Sequence, residues 1–130
     1  MDGRKSVAPR FYPRFVPLSI HNVVINCADP RRLVEFWTRA LEMHVLEDYG
    51  SYIQLGRPGS PVTLGLQRVP ERRAGTNRVH VDLNGEPRVA AAQRLVELGA
   101  TVLGEQGAPG LDHVWTVLTD PEGNEFCITG

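Results

Sequence analysis

The chain is poor in cysteine, has no excess charge of either sign and lacks any long apolar run. Its 130 residues contain two cysteines, Cys27 and Cys127, with no Cys-x-x-Cys spacing, so free thiols rather than a disulfide are expected. Both fall inside strand-like runs, the place for buried free thiols in a reducing compartment, and the protein is expected to be cytoplasmic. The net charge of −1 provides no global field for nucleic acid or an anionic membrane surface, and neither partner is expected. No stretch approaches the roughly 18 apolar residues of a membrane-spanning helix. Met1 to Pro17 carries Arg4, Lys5, Arg10 and Arg14 without an apolar core, so it does not read as a secretory leader.

Residues 1–17 hold Pro9, Pro13 and Pro17 with Phe11, Tyr12 and Phe15 between them. Proline removes backbone donors and blocks helix interiors, so this segment reads as an arm, either packed or free. The remainder, 18–130, reads as one domain of two modules, 18–69 and 78–130, joined by a polar linker at 70–77. Arg68, Arg72, Arg73 and Arg78 in and around that linker read as solvated connector rather than as a basic patch.

Ile20 to Cys27 alternates as a strand, with His21, Val23, Ile25 and Cys27 on the core side. Asp29-Pro30 is an N-cap followed by proline, and Leu33, Phe36, Trp37, Ala40 and Leu41 form the stripe of an amphipathic helix. Strands follow at 43–47, 51–55 and 62–69, separated by Gly50 and by Gly56-Arg57-Pro58-Gly59-Ser60-Pro61. The second module opens on Arg78-Val79-His80-Val81-Asp82-Leu83-Asn84, whose polar face is a His-Asp-Asn row. Glu86-Pro87 then starts a helix with Val89, Ala92, Leu95 and Val96 along one stripe, closed by Gly99. A short strand at 101–103, a Gly-rich loop at 104–112 and a hairpin of 113–119 with 125–129 complete the chain. Asp120-Pro121-Glu122-Gly123-Asn124 suits a three-residue hairpin loop with a bulge.

The order strand, Asp/Glu-Pro, helix, strands therefore occurs twice. Leu41 and Leu98, Pro30 and Pro87, and Val45-Leu46 and Val102-Leu103 each recur at one common offset. Units this small bury separate cores poorly. An α+β fold is expected, two βαβββ modules making a curved, cup-shaped mixed sheet with helices on the outer face. The strand faces turned from the helices would then line a concavity: Asn22, Val24, Asn26, Tyr52, Gln54, Thr63, Gly65, Gln67, His80, Asp82, Asn84, Trp115, Val117, Glu125 and Cys127.

The duplicated βαβββ order, Ile20-His-Asn-Val-Val-Ile-Asn-Cys-Ala-Asp-Pro and Asp120-Pro-Glu-Gly-Asn-Glu-Phe resemble the glyoxalase/bleomycin-resistance/extradiol-dioxygenase (vicinal oxygen chelate) superfamily. The resemblance implies a homodimer in many members and, in the enzymes, a divalent metal (Zn, Ni, Mn or Fe) in the cup. Carried over by position, the metal ligands fall on Asn22 and Gly65 in the first module and on His80 and Cys127 in the second. His21 is displaced to the core side.

With that ligand set broken, the expected function is binding of a small organic molecule in the cup without an intact catalytic metal. Asn22, Asn26, Gln67, His80, Trp115, Glu125 and Cys127 are the candidate ligand-binding residues. The alternative is a lyase, isomerase or dioxygenase-type enzyme with His80 and Glu125 as catalytic candidates, metal-dependent through both or metal-free with Glu125 as base. His80 can also be a structural histidine, Glu125 a rim carboxylate, and Cys127 a His80-activated nucleophile or an inert buried thiol. Asp82 is read as orienting His80 or as its structural partner, and His44 and His113 as surface or interface residues.

Overall fold

The computed structural model describes residues 18–70, 77, 79–107 and 114–130. The 1–17 arm, most of the 70–77 linker, Arg78 and residues 108–113, with His113, lie outside them. Ten elements follow in order: β1 (Asn22–Cys27), α1 (Pro30–Leu41), β2 (His44–Asp48), β3 (Tyr52–Gly56), β4 (Thr63–Arg68), β5 (Val81–Leu83), α2 (Arg88–Leu98), β6 (Thr101–Gly107), β7 (Val114–Thr119) and β8 (Glu125–Thr129). They form two four-stranded mixed sheets of identical topology, β1-β4-β3-β2 and β5-β8-β7-β6. In each, the first strand runs parallel to the last and the other pairs are antiparallel. The fold is the expected α+β pair of βαβββ modules.

The repeat extends to irregularities. Edge strands β2 and β6 each carry a register shift at matching places, Val45/Glu47 and Val102/Gly104, and bulges of this kind twist an edge away from further pairing. Helices α1 and α2 end on matching left-handed positions, Glu42 with φ 53° and Gly99 with φ 122°.

Period-two burial turns Ile53, Leu55, Leu64 and Leu66 of the first sheet, and Leu118, Phe126 and Ile128 of the second, toward the helices. Helix α1 answers with Leu33, Phe36, Trp37 and Ala40, all buried, as its stripe predicts. Helix α2 differs. Ala91, Ala92 and Leu95 are its buried residues, whereas Val89 and Val96 are 56% and 44% exposed. The helix is turned so that its two alanines face inward, and side chains this small allow close approach. The two halves share one core, because Phe36 and Trp37 stack edge-on at 5.0 Å and Trp37 meets Phe126 of β8 at 5.1 Å. Such aromatic pairs contribute about 0.5–1.5 kcal/mol each beyond area burial.

Two strands depart most from expectation. Strand β5 spans three residues, leaving Val79 and His80 in the approach to it, and β6 covers the whole of the expected 101–103 strand and continues to Gly107 in the Gly-rich segment. The hairpin has the expected form: the Asp120 and Gly123 N–H groups donate to Asn124 and Asp120 carbonyls at 2.8 Å, with Gly123 at φ 88°.

Candidate functional site

A cleft of about 830 Å³ lies between the two modules. Strand β1 forms one wall. His80, Val81, Glu125 and Phe126 contribute to the other, and the Glu122 hairpin closes one end. The hairpin is held there by sequence-distant contacts. Glu122 accepts the N–H groups of Ala28 and Asp29, both at 2.8 Å, where the emerging positive end of α1 favours a carboxylate. Asp29 makes no side-chain cap of its own.

On the first sheet, four neutral side chains of the concave face form a chain of hydrogen bonds. Gln54 Nε2 donates to Thr63 Oγ1 at 2.8 Å, Thr63 Oγ1 donates to Asn22 Oδ1 at 2.7 Å, and Asn22 Nδ2 donates to the Tyr52 hydroxyl oxygen at 2.9 Å. Register explains the meeting: Asn22 is opposite Thr63, Gln54 opposite Gly65, and Tyr52 opposite Gln67. The phenol ring crosses diagonally over Gly65, and a Cβ at that position would collide with the Tyr52 hydroxyl and ring. The Tyr52 oxygen accepts from Asn22, and its own hydrogen has no acceptor among the described residues. Asn26 and Gln67, opposite one another, are exposed beside this row.

On the second sheet, Asp82 is opposite Cys127, Val117 opposite Cys127 and Trp115 opposite Thr129. Trp115, Val117, Glu125 and Cys127 therefore share the face that sequence alternation assigns them. His80 Nε2 lies 3.4 Å from Asp82 Oδ1, both side chains being about half exposed. Potential ligand atoms of His80, Asp82 and Cys127 all lie within 4.8 Å of one another. Glu125 is not in this trio. It begins β8, two residues before Cys127, opposite Thr119. Burial raises the Cys127 thiol above its ordinary value, with Asp82 and Glu125 adding to the effect. The thiol is therefore protonated near neutral pH, which disfavours the nucleophile reading.

Matching the ladders equates Asn22 with His80, Val24 with Asp82, Tyr52 with Trp115 and Gly65 with Cys127. A metal bridging the modules needs donors from both, and the first module supplies a neutral amide, a valine and a glycine covered by a phenol. The residues do not fit a bridging metal of the type the resemblance implies. Sequence reading placed Tyr52, Gln54 and Thr63 on the concave face without naming them as site residues. Gly65 was the available signal, since glycine inside a strand marks close approach by another group.

Residues 22–129 match the family described as Glyoxalase-like domain. Similar solved structures include a glyoxalase family protein from Enterococcus faecalis, at 18% identity and TM-score 0.69, covering 86% of this chain and 97% of that one. Another is a glyoxalase/bleomycin resistance protein/dioxygenase family enzyme from Burkholderia phytofirmans PsJN, at 18% identity and TM-score 0.66, covering 84% and 95%. A glyoxalase/bleomycin resistance protein from Streptomyces sp. CB03234 is 22% identical, with TM-score 0.61 and coverage of 86% and 100%. At these identities the likeness is one of fold. A search of curated proteins gives no match. With the family matched across almost the whole described chain, and its duplicated fold present strand for strand, the protein belongs to the Glyoxalase-like domain family of the vicinal oxygen chelate superfamily.

Proposed function

We propose that the protein binds a small organic molecule in the concave face, using hydrogen bonds from neutral groups on the first sheet. The observation that carries this reading is the Asn22–Tyr52 pair. It fixes the phenol oxygen and leaves the phenol hydrogen uncommitted among the described residues, ready for an oxygen of the ligand. Asn26 and Gln67 extend that polar row. On the second sheet His80 and Glu125 line the cleft between the modules, and Trp115 and Cys127 share the concave face with Glu125, which adds apolar surface to the few oriented polar groups typical of ligand pockets.

A thermal-shift screen of oxygen-bearing organic compounds tests the reading on wild type, Gln67→Ala and Trp115→Ala. A ligand at one hundred times its Kd stabilises by about 2.7 kcal/mol, and the upward shift should shrink in both variants. Equal shifts in all three proteins would remove the cup as the binding site.

A second reading, metal-free proton chemistry with Glu125 as base, draws support from the place of this carboxylate on the cleft wall near His80. It requires turnover that Glu125→Gln abolishes while ligand-induced stabilisation persists. The proposed assembly is a homodimer. Supporting it, Val45 and Leu46 on β2 and Val102 and Leu103 on β6 are each 44–55% exposed at sheet edges. No helix among the described residues is long and apolar enough to cross a membrane. The free, buried Cys27 and Cys127 support the reducing compartment proposed for the chain.

A further inference from the structure

We propose that residues 11–16 of this chain add a strand to the free edge of β1 and fill the cleft between the modules. Strand β1 ends its sheet and pairs with β4 alone among the described residues. The His21 and Cys27 carbonyls accept the N–H groups of Thr63 and Val69, so the odd-numbered residues of β1 turn their backbone groups toward β4. The N–H and C=O groups of Asn22, Val24 and Asn26 then point to the outer edge, along the cleft. An edge of this kind is a template for another strand. Its apolar face also lacks cover: Val23 and Ile25 pack on the core yet are only partly buried, whereas Leu64 and Leu66 beside them are buried.

The sequence before β1 has the pattern this edge requires. Pro9, Phe11, Pro13, Phe15 and Pro17 alternate with Arg10, Tyr12, Arg14 and Val16, which in an extended segment sets an apolar face against a largely polar one. A residue before proline favours extended backbone, and Tyr12 and Val16 hold such positions. Every proline is odd-numbered, so the missing N–H groups all fall on one edge. The edge of Arg10, Tyr12, Arg14 and Val16 keeps its donors. Pairing even with even residues therefore matches donors and acceptors along β1. The same pairing puts the Phe/Pro face beside Val23, Ile25 and Cys27, and the Arg/Tyr face on the concave side with Asn22, Val24 and Asn26. Backbone parity and side-chain parity agree.

Length and charge point to this chain's own segment. An antiparallel return through residues 17–21, a connection of hairpin length, sets Val16 opposite Asn22, Arg14 opposite Val24 and Tyr12 opposite Asn26. Phe15 then meets Val23, and Phe11 meets Cys27, pairings of the kind that stabilise sheets. Arg10 comes level with Ala28, where Asp29 and Glu122 line the cleft. Residues 1–17 carry Arg4, Lys5, Arg10 and Arg14 against Asp2 alone, so in a chain of net charge −1 the remainder is acidic and attracts the segment. None of this rests on the small-molecule reading above, and it stands if the screen finds no organic ligand.

Amide hydrogen exchange of the full chain, followed by NMR, tests the proposal. The Val24 and Asn26 amides should exchange slowly in wild type. Arg14→Pro removes a donor from the pairing edge and should abolish that protection, whereas Arg14→Ala, which keeps the donor, should retain it. Unchanged protection at Leu64 and Leu66, buried in the core, establishes that each variant folds. Nuclear Overhauser contacts between the Phe15 ring and the Val23 methyls are expected within one chain. Rapid exchange at Val24 and Asn26 in wild type would overturn the proposal, as would protection that survives Arg14→Pro. Phe15–Val23 contacts found only between isotope-labelled and unlabelled chains would overturn it too, because the added strand would then come from a second copy.

Discussion

Trp37 donates its indole N–H to Asp120 at 3.1 Å, a hydrogen bond between two buried side chains that belong to different modules. Asp120 also accepts the backbone N–H groups of Glu122 and Asn124, both at 2.9 Å, and the Asn124 amide. One carboxylate thus shapes the hairpin and locks it to α1, while Glu122, two residues later, holds the start of that helix. The Asp-Pro-Glu-Gly motif is a joint between modules.

Asp120→Ala should therefore destabilise the protein by about 3 kcal/mol, because it leaves the buried indole donor and hairpin amides without their acceptor. Urea unfolding measures this. A loss below about 1 kcal/mol, no more than an ordinary surface hydrogen bond, would contradict the role of the joint.

Glu42→Gly should stabilise by about 0.5–1 kcal/mol, since Glu42 takes the left-handed conformation that Gly99 takes at the matching end of α2. Glu42→Ala, which keeps a Cβ, should give no such gain. Thermal melts of the three proteins decide it.

Gly65→Ala should cost about 1–3 kcal/mol, the usual range for overpacking, because the new methyl meets the Tyr52 ring. In the Tyr52→Ala background the same change should be close to neutral. That coupling, read from a double-mutant cycle, measures how tightly the phenol is seated.

The thiols give a pH prediction. Burial, reinforced by Glu122, Asp120 and Asp29, pushes Cys27 up from 9.0 to about 12. A thiol with a raised folded value ionises first in the unfolded chain. Its contribution to stability is full below pH 9.0 and declines as pH rises toward 12. Cys27→Ala should flatten that decline in urea midpoints measured from pH 8 to 10. A thiol-exchange reagent at pH 8 should label Cys27 and Cys127 slowly in native protein and rapidly in urea.

Local chemistry made much of this fold legible. Asp-Pro before a 3.6-period stripe marks α1, and Pro121 with Gly123 marks the hairpin, because each signal acts within a few residues. The recurrence of Val45-Leu46 and Val102-Leu103 located the duplication before any strand was paired. The rotation of α2 was not legible: Val89, Ala92, Leu95 and Val96 make as good a stripe as Ala91, Ala92 and Leu95, and which side faces inward is decided by the neighbouring sheet. Nor was the Tyr52 position over Gly65, which depends on β3–β4 register. The grouping of Asp82 with Cys127 depends likewise on parallel pairing across more than forty positions of chain. Alternation, together with a three-residue hairpin loop before β8, assigned Trp115, Val117, Glu125 and Cys127 to one face, which the ladder register matches, and the contrast between Asn22 and Gly65 in the first module and His80 and Cys127 in the second was already visible in the sequence.

Binding of a ligand to the concave face through the first sheet's neutral row is tested most directly by amide and side-chain NMR shift mapping of the metal-free protein with a compound from the thermal screen. Shifts should concentrate at Asn22, Asn26, Tyr52, Gln67 and Trp115, with affinity reduced in Tyr52→Phe. Shifts confined to the helix faces, with Tyr52→Phe binding as tightly as wild type, would contradict it.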